Sequence, residues 1–300
     1  MKLIKQSFEI YEQGSGLEGI YEAIERAGRT CYKSIRPEGQ TAKDFVDRMI
    51  ASKHYAMLEH GTVYLKVPMN IVTCALHESN WDTLRDNPYT KTTCDSNFYY
   101  YSTNYRVIIE HDLQGVLEYL CEPTEFHEKR ATVRFTTDIG VSREFNRHRV
   151  DSIAEQSTRY CNYSKDKFNN ELSVILPQEL SDKELKFWID EANSEDGFKE
   201  LAKELLDDNI GWGVLQNWLF ANLACEYSYM NLIRLGWKPQ QARRVLPLDL
   251  QTELVHTAFV SDWNHFFDLR ARGTTGAPHP DAKALAEPLM NEFINRGLIV

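Results

Sequence analysis

Residues 130–137 (RATVRFTT) alternate, with Val133 and Phe135 on the side opposite Arg134, and then give way to helical spacing. A period of two marks a strand with one buried face; a period near 3.6 marks a helix with an apolar stripe. A strand that hands over directly to a helix ties both to one core. Thr137 or Asp138 stands where an N-cap is needed. The helix that follows carries Val141 and Phe145 on one face, and Arg143 and Arg147 on another. It runs into a basic cluster, Arg147, His148 and Arg149.

The same two periods recur along the chain. Residues 17–27, with Leu17, Ile20, Tyr21 and Ile24, and residues 42–53, with Phe45, Val46, Met49 and Ile50, read as helices. HGTVYLKVPM alternates as a strand, and FYYYSTNYRVII reads as one strand or as two pieces broken near Asn104. LQGVLEYL is helical in pattern. Residues 210–236 read as a long, largely buried helix stopped by Gly236. A short helix opened by Pro239 follows. DLQTELVHTAFV is strand-like, SDWNHFFDLRAR is a helix capped by Ser261 or Asp262, and DAKALAEPLMNEFINRG closes the chain as another helix. Helices and strands mix without a regular βαβ rhythm. The expected class is therefore α+β: one mixed domain over 1–300, with a central antiparallel or mixed sheet flanked by helices. Residues 165–209 are rich in charge and read as a helical surface insertion.

Composition narrows the function. The formal net charge is -10 and 26% of residues are charged. An acidic chain is a poor partner for duplex nucleic acid, which needs an extended basic surface. A small anion in a local basic pocket is compatible with it. No apolar run reaches the roughly 18 residues of a membrane span. The cysteines are scattered without a C-x-x-C pair, and the N-terminus carries no secretory pattern. That combination is the expectation for reduced thiols in a cytoplasmic protein. His54, Glu59 and His60 are not spaced as H-E-x-x-H, and positions five or six apart do not share a helical face, so no metal is expected. The aromatics Trp212, Trp218, Phe220, Tyr227 and Tyr229 fit a core better than a stacking platform. No G-x-G-x-x-G or P-loop is present.

The basic cluster is the chemical candidate. On its own it is a helix C-terminus with solvated cations. Three features point further. Glu155 lies among the cations. Ser157 and Arg159 alternate, as on a strand aiming both at one site. The polar turn offers N–H donors for an oxyanion, beside forked arginine donors.

The spacing R-H-R, seven residues, S fits Arg147, His148, Arg149 and Ser157, and extends as E-x-S-x-R-Y through Glu155, Ser157, Arg159 and Tyr160. This resembles the signature of the flavin-dependent thymidylate synthase family. HYAMLEH, ARRVLPLDL and HFFDLR resemble further family segments, in the family's order. The resemblance spans roughly 40–160 and 210–275.

The resemblance implies a homotetramer with active sites between subunits, FAD as cofactor, and conversion of dUMP to dTMP with 5,10-methylenetetrahydrofolate and NADPH. It implies that Arg270 sits against the uracil and favours loss of its N3 proton, and that His54 lies near the flavin. The positions that fall on dUMP contacts are Glu144, Phe145, Asn146, Arg147, Glu155, Gln156, Ser157, Thr158, Arg159, Arg243 and Arg270. Those that fall on FAD contacts are Ala56, Arg147, His148, Arg149, Glu155, Phe259, Val260, Ser261 and His265. Ser157 resembles a phosphate binder, not a nucleophile. No cysteine lies in these motifs, so the uracil C5 must be activated without a thiolate. A cation beside the ring is the alternative, because it stabilises an enolate-like base. Ala154, Glu144 and Ser261 depart from the family's usual Asn, Gln and Arg.

Overall fold

The computed structural model describes residues 1–73, 80–180, 203 and 213–300. Strands β1 (Lys2–Ile4) and β2 (Ser7–Tyr11) lead to helices α1 (Gly16–Tyr32) and α2 (Ala42–Ala51). After a 3-10 turn, Tyr55–His60, come β3 (Thr62–Pro68), α3 (Met69–Thr73), α4 (Asn80–Arg85), β4 (Lys91–Cys94), β5 (Phe98–Asn104) and α5 (Tyr105–Glu110). The central segment is β6 (Arg130–Asp138), α6 (Ile139–Phe145), β7 (Ser152–Glu155) and β8 (Ser173–Ile175). The remainder is α7 (Val214–Arg234), α8 (Pro239–Ala242), β9 (Gln251–Phe259), α9 (Val260–Phe267) and α10 (Pro280–Asn295).

The strands make an antiparallel sheet ordered β2-β6-β9-β7, a second antiparallel sheet β3-β5-β4, and a parallel pair β1-β8. The class is the expected α+β. Both faces of the four-stranded sheet are covered, so the period-two pattern sorts its residues between two cores. Val255 and Ala154 join α1, α2 and the three-stranded sheet. Val133, Phe135 and Leu254 join Val141 and Phe145 of α6, Trp263, Phe266 and Phe267 of α9, and Leu285 and Leu289 of α10.

Asp138 is the cap of α6: its carboxylate accepts from the Val141 N–H at 2.7 Å. Near Asn104 the chain does break, but into a helix. Asn104 caps α5 through the Val107 N–H. The stretch around LQGVLEYL is a 3-10 helix, Gln114–Tyr119. α9 starts at Val260, one residue before the expected Ser261 cap, because β9 runs straight into it. No side chain of its N-cap residue supplies a hydrogen bond; Glu128, from another segment, accepts from the Ser261 N–H at 3.1 Å.

Two larger expectations change as well. Within α7 only Leu219, Asn222, Leu223 and Tyr229 are buried, while Val214 and Tyr227 are exposed, so the helix is not buried all round. The indole of Trp218 donates to Asp249 at 2.7 Å. Within 165–209, the first part is not a surface insertion. Leu172, Val174 and Ile175 are buried, and β8 pairs with β1. Residues 181–202 and 204–212, which hold most of the expected insertion and Trp212, lie outside the described residues.

Candidate functional site

α6 and β7 place the motif. Glu155 ends β7 and is pinned to α6 from two directions. Its Oε1 accepts from Ser142 Oγ at 2.7 Å, and its Oε2 accepts from Asn146 Nδ2 at 3.0 Å. Thr252 on β9 donates to Oε1 at 3.3 Å. Donors on three sides hold this carboxylate in place.

The chain then leaves the sheet. Gln156 is buried and donates its N–H to the Glu253 carbonyl, and Ser157 donates its N–H to the Cys31 carbonyl at 2.9 Å. Residues 157–160 form a turn, not a strand: the N–H groups of Tyr160 and Cys161 both reach back to the Ser157 carbonyl. The Ser157 hydroxyl accepts from the Arg159 N–H at 3.3 Å. The pairing that a longer strand would need ends with Glu155 opposite Leu254.

A cavity of about 570 Å³ opens beside this turn. Its walls include Glu155, Gln156, Ser157, Thr158, Arg143, Arg243 and Arg244. Arg243 donates to Thr158 Oγ1 at 3.3 Å. Among the described residues, Arg143, Arg147, Arg149, Arg243 and Arg244 make no ion pair. Cations left without carboxylates in an acidic chain are a fit for phosphate-bearing ligands. Of the cavity's walls, Glu155, Gln156, Ser157, Thr158 and Arg243 were legible in the motif. Arg143, Arg244 and Thr252 were not assigned by it. Arg143 was visible only as a basic residue on the helix, and Thr252 gave no signal at all.

Glu144 leaves α6 in another direction and meets Arg270, in the π-helical turn Asp268–Arg272 that follows α9. Arg270 Nη1 donates to Glu144 Oε2 at 2.6 Å, Nη2 to the Glu144 carbonyl at 2.6 Å, and Nε to His148 Nε2 at 3.3 Å. His148 is buried against Phe266, with His265 5.8 Å from it ring to ring. Burial pushes His148 down to about 4, with the nearby Asp151 opposing and Arg270 assisting. It is therefore a neutral acceptor toward Arg270 at neutral pH. Burial also lowers Arg270 from its usual value, against the pull of Glu144.

Other motif residues are dispersed. Phe145 is fully buried between Phe135 and Phe266, so its side chain belongs to the core. His54, Ala56, Arg147, Arg149, Arg159, Ser261 and His265 are exposed. Phe259 is buried, with Arg130 over its ring, and Val260 is half-buried. Glu59 pairs with Arg106 at 2.6 Å, and buried His60 meets Thr257 at 2.8 Å, so these two are committed apart from His54. Arg270 and His148 are not among the walls of the cavity.

Comparison with known proteins agrees with the motif. A family model described as thymidylate synthase complementing protein matches residues 109–296, more than half of the chain. A probable flavin-dependent thymidylate synthase from Paramecium bursaria Chlorella virus 1 is 26% identical over 163 residues, covering 54% of this chain and 67% of that protein. Among solved structures, the UMP/dUMP methylase PolB from Streptomyces cacaoi, bound with 5-Br dUMP, is 13% identical with a TM-score of 0.43, covering 98% of this chain and 93% of that one. Its form bound with 5-Br UMP is 14% identical with the same TM-score, covering 98% and 92%. The matched region contains α6, β7, the cavity arginines and Arg270, and on that match the chain belongs to the thymidylate synthase complementing protein family.

Proposed function

We propose that this chain is a flavin-dependent thymidylate synthase that reductively methylates dUMP to dTMP. The carbon donor is 5,10-methylenetetrahydrofolate, and NADPH supplies hydride through FAD. The observation that carries the reading is the set of unpaired arginines around α6 and β7, joined to a fixed Glu155 and the Ser157 turn. Arg143, Arg243, Arg244, Ser157 and Thr158 hold the nucleotide phosphate, with Asn146, Glu155, Gln156, Arg147 and Arg159 completing the dUMP contacts. The exposed Arg147 and Arg149 suit the pyrophosphate of FAD, with His148, His265, Ala56, Glu155 and residues 259–261 as further contacts and His54 near the ring. Bound FAD would supply the hydride, which is chemistry no side chain of this protein offers.

Arg270 supplies the electrostatic part. A guanidinium against the uracil stabilises negative charge on the ring as the N3 proton leaves, which sends electron density to C5. No thiolate is needed. The thiol of Cys31, behind the Ser157 turn, is pushed up to about 11 by burial and the neighbouring Glu155, so it is protonated at neutral pH. On the family resemblance, the protein is a homotetramer with active sites between subunits, working in the cytoplasm.

The test is the visible spectrum of purified protein before and after dUMP, followed by dTMP formation with methylenetetrahydrofolate and NADPH. A flavin band perturbed by dUMP, and turnover, are expected. Colourless protein that takes up no added FAD would sink the reading.

A further inference from the structure

Arg270 is restrained by three groups of unequal kind. The Glu144 carbonyl and the His148 ring are neutral acceptors held by backbone and by burial. The Glu144 carboxylate is a full counter-charge on a flexible stem. Among the described residues it is the carboxylate paired with Arg270. The pair is neither sealed nor fully wet: the Arg270 side chain is 14% exposed and that of Glu144 34%. A sealed pair would be costly to break and a wet one would hold nothing in place; this one can open at modest cost. If the carboxylate swings away, the carbonyl and His148 still orient the guanidinium.

We propose that Glu144 is a displaceable counter-ion that occupies Arg270 and competes with the uracil edge of dUMP for it. The proposal rests on the reading of the chain as a dUMP-converting enzyme. Nη1 points to the Glu144 carboxylate while Nη2 is held by the Glu144 backbone carbonyl, so Nη1 cannot turn to a uracil carbonyl until the carboxylate moves. While the carboxylate is in place it also cancels the charge that is to stabilise the deprotonated ring. Glu144 is thus a positioning residue, and it makes the full cation available only to a ligand that can take its place.

The experiment compares the full-length, FAD-loaded wild type with Glu144→Gln, measuring dUMP affinity by equilibrium dialysis, KM for dUMP in turnover, and thermal melting. The expected result is dUMP affinity about fivefold tighter in the variant, with KM falling in parallel. A purely structural Glu144 would lower the melting temperature and leave affinity unchanged or weaker, which overturns the proposal. Glu144→Ala carries the same expectation and serves if the amide variant does not fold. Wild type that binds no dUMP would overturn the enzyme reading itself, whereas wild type that binds and turns over dUMP with unchanged variants overturns only the role of Glu144.

Discussion

Arg270 and two buried histidines, His148 and His60, show how single residues acquire roles through surroundings. The Arg270 side chain is nearly enclosed, so removing it deletes both a charge and the partner of Glu144. Arg270→Ala is expected to lose dTMP formation by roughly a hundredfold or more while keeping bound flavin, assayed by turnover and by the flavin spectrum. Loss of flavin without a selective loss of turnover would refute that role. His148, held near 4, and His60, fully buried and held near 3, are both depressed by burial below the usual histidine value of 6.5. A depressed histidine binds fewer protons folded than unfolded, so stability rises with pH across that gap. The contribution is complete above about pH 6.5 and is lost as pH falls toward about 4 for His148 and lower for His60. Urea unfolding is expected to show a loss of about 2 kcal/mol from His148 alone between about pH 7 and about pH 5. An unfolding free energy that is flat over that window would contradict it.

At the scale of elements, the sequence was most legible where a pattern is local. β6 and α6 are visible because alternation and a capping carboxylate both sit within a few residues. Asp138→Ala is expected to cost about 1 kcal/mol in chemical unfolding, and Asp138→Asn, which keeps an acceptor for Val141, much less. The turn between the 3-10 segment and β3 is set by packing instead. A Cβ on Gly61 would lie 2.7 Å from Ile20 Cγ2 and 2.8 Å from Ile24 Cδ1. Gly61→Ala is therefore expected to destabilise by roughly 1–3 kcal/mol, seen as a lower melting temperature. The strand anticipated at Ser157–Arg159 was not legible as a turn, because the groups that bend it are remote: the Cys31 carbonyl takes the Ser157 N–H. Alternation in a short polar stretch has no apolar face to confirm it, so the pattern carries little weight there.

For the whole molecule, the stretch after the motif shows the limit of composition. Its charge suggested surface, yet Leu172 and Val174 are fully buried and β8 is the partner of β1. Met1 packs in the same cluster as Val174, Leu219 and Leu223. Removing 170–178 is expected to abolish soluble expression, whereas a deletion within 183–202, a stretch dense in charged residues, is expected to leave a folded, yellow protein. Both are read from soluble yield and colour. The sequence by itself determined the class, the placement of β6, α6 and β9, and the family motif, because these depend on short-range periodicity and on the order of reactive residue types. Only the tertiary structure decided that Glu155 is fixed from α6 and β9, that Arg143 and Arg244 join Arg243 around one cavity, and that Glu144 is committed to Arg270. Those are contacts between residues far apart along the chain, made by the packing of elements, and no local pattern encodes them.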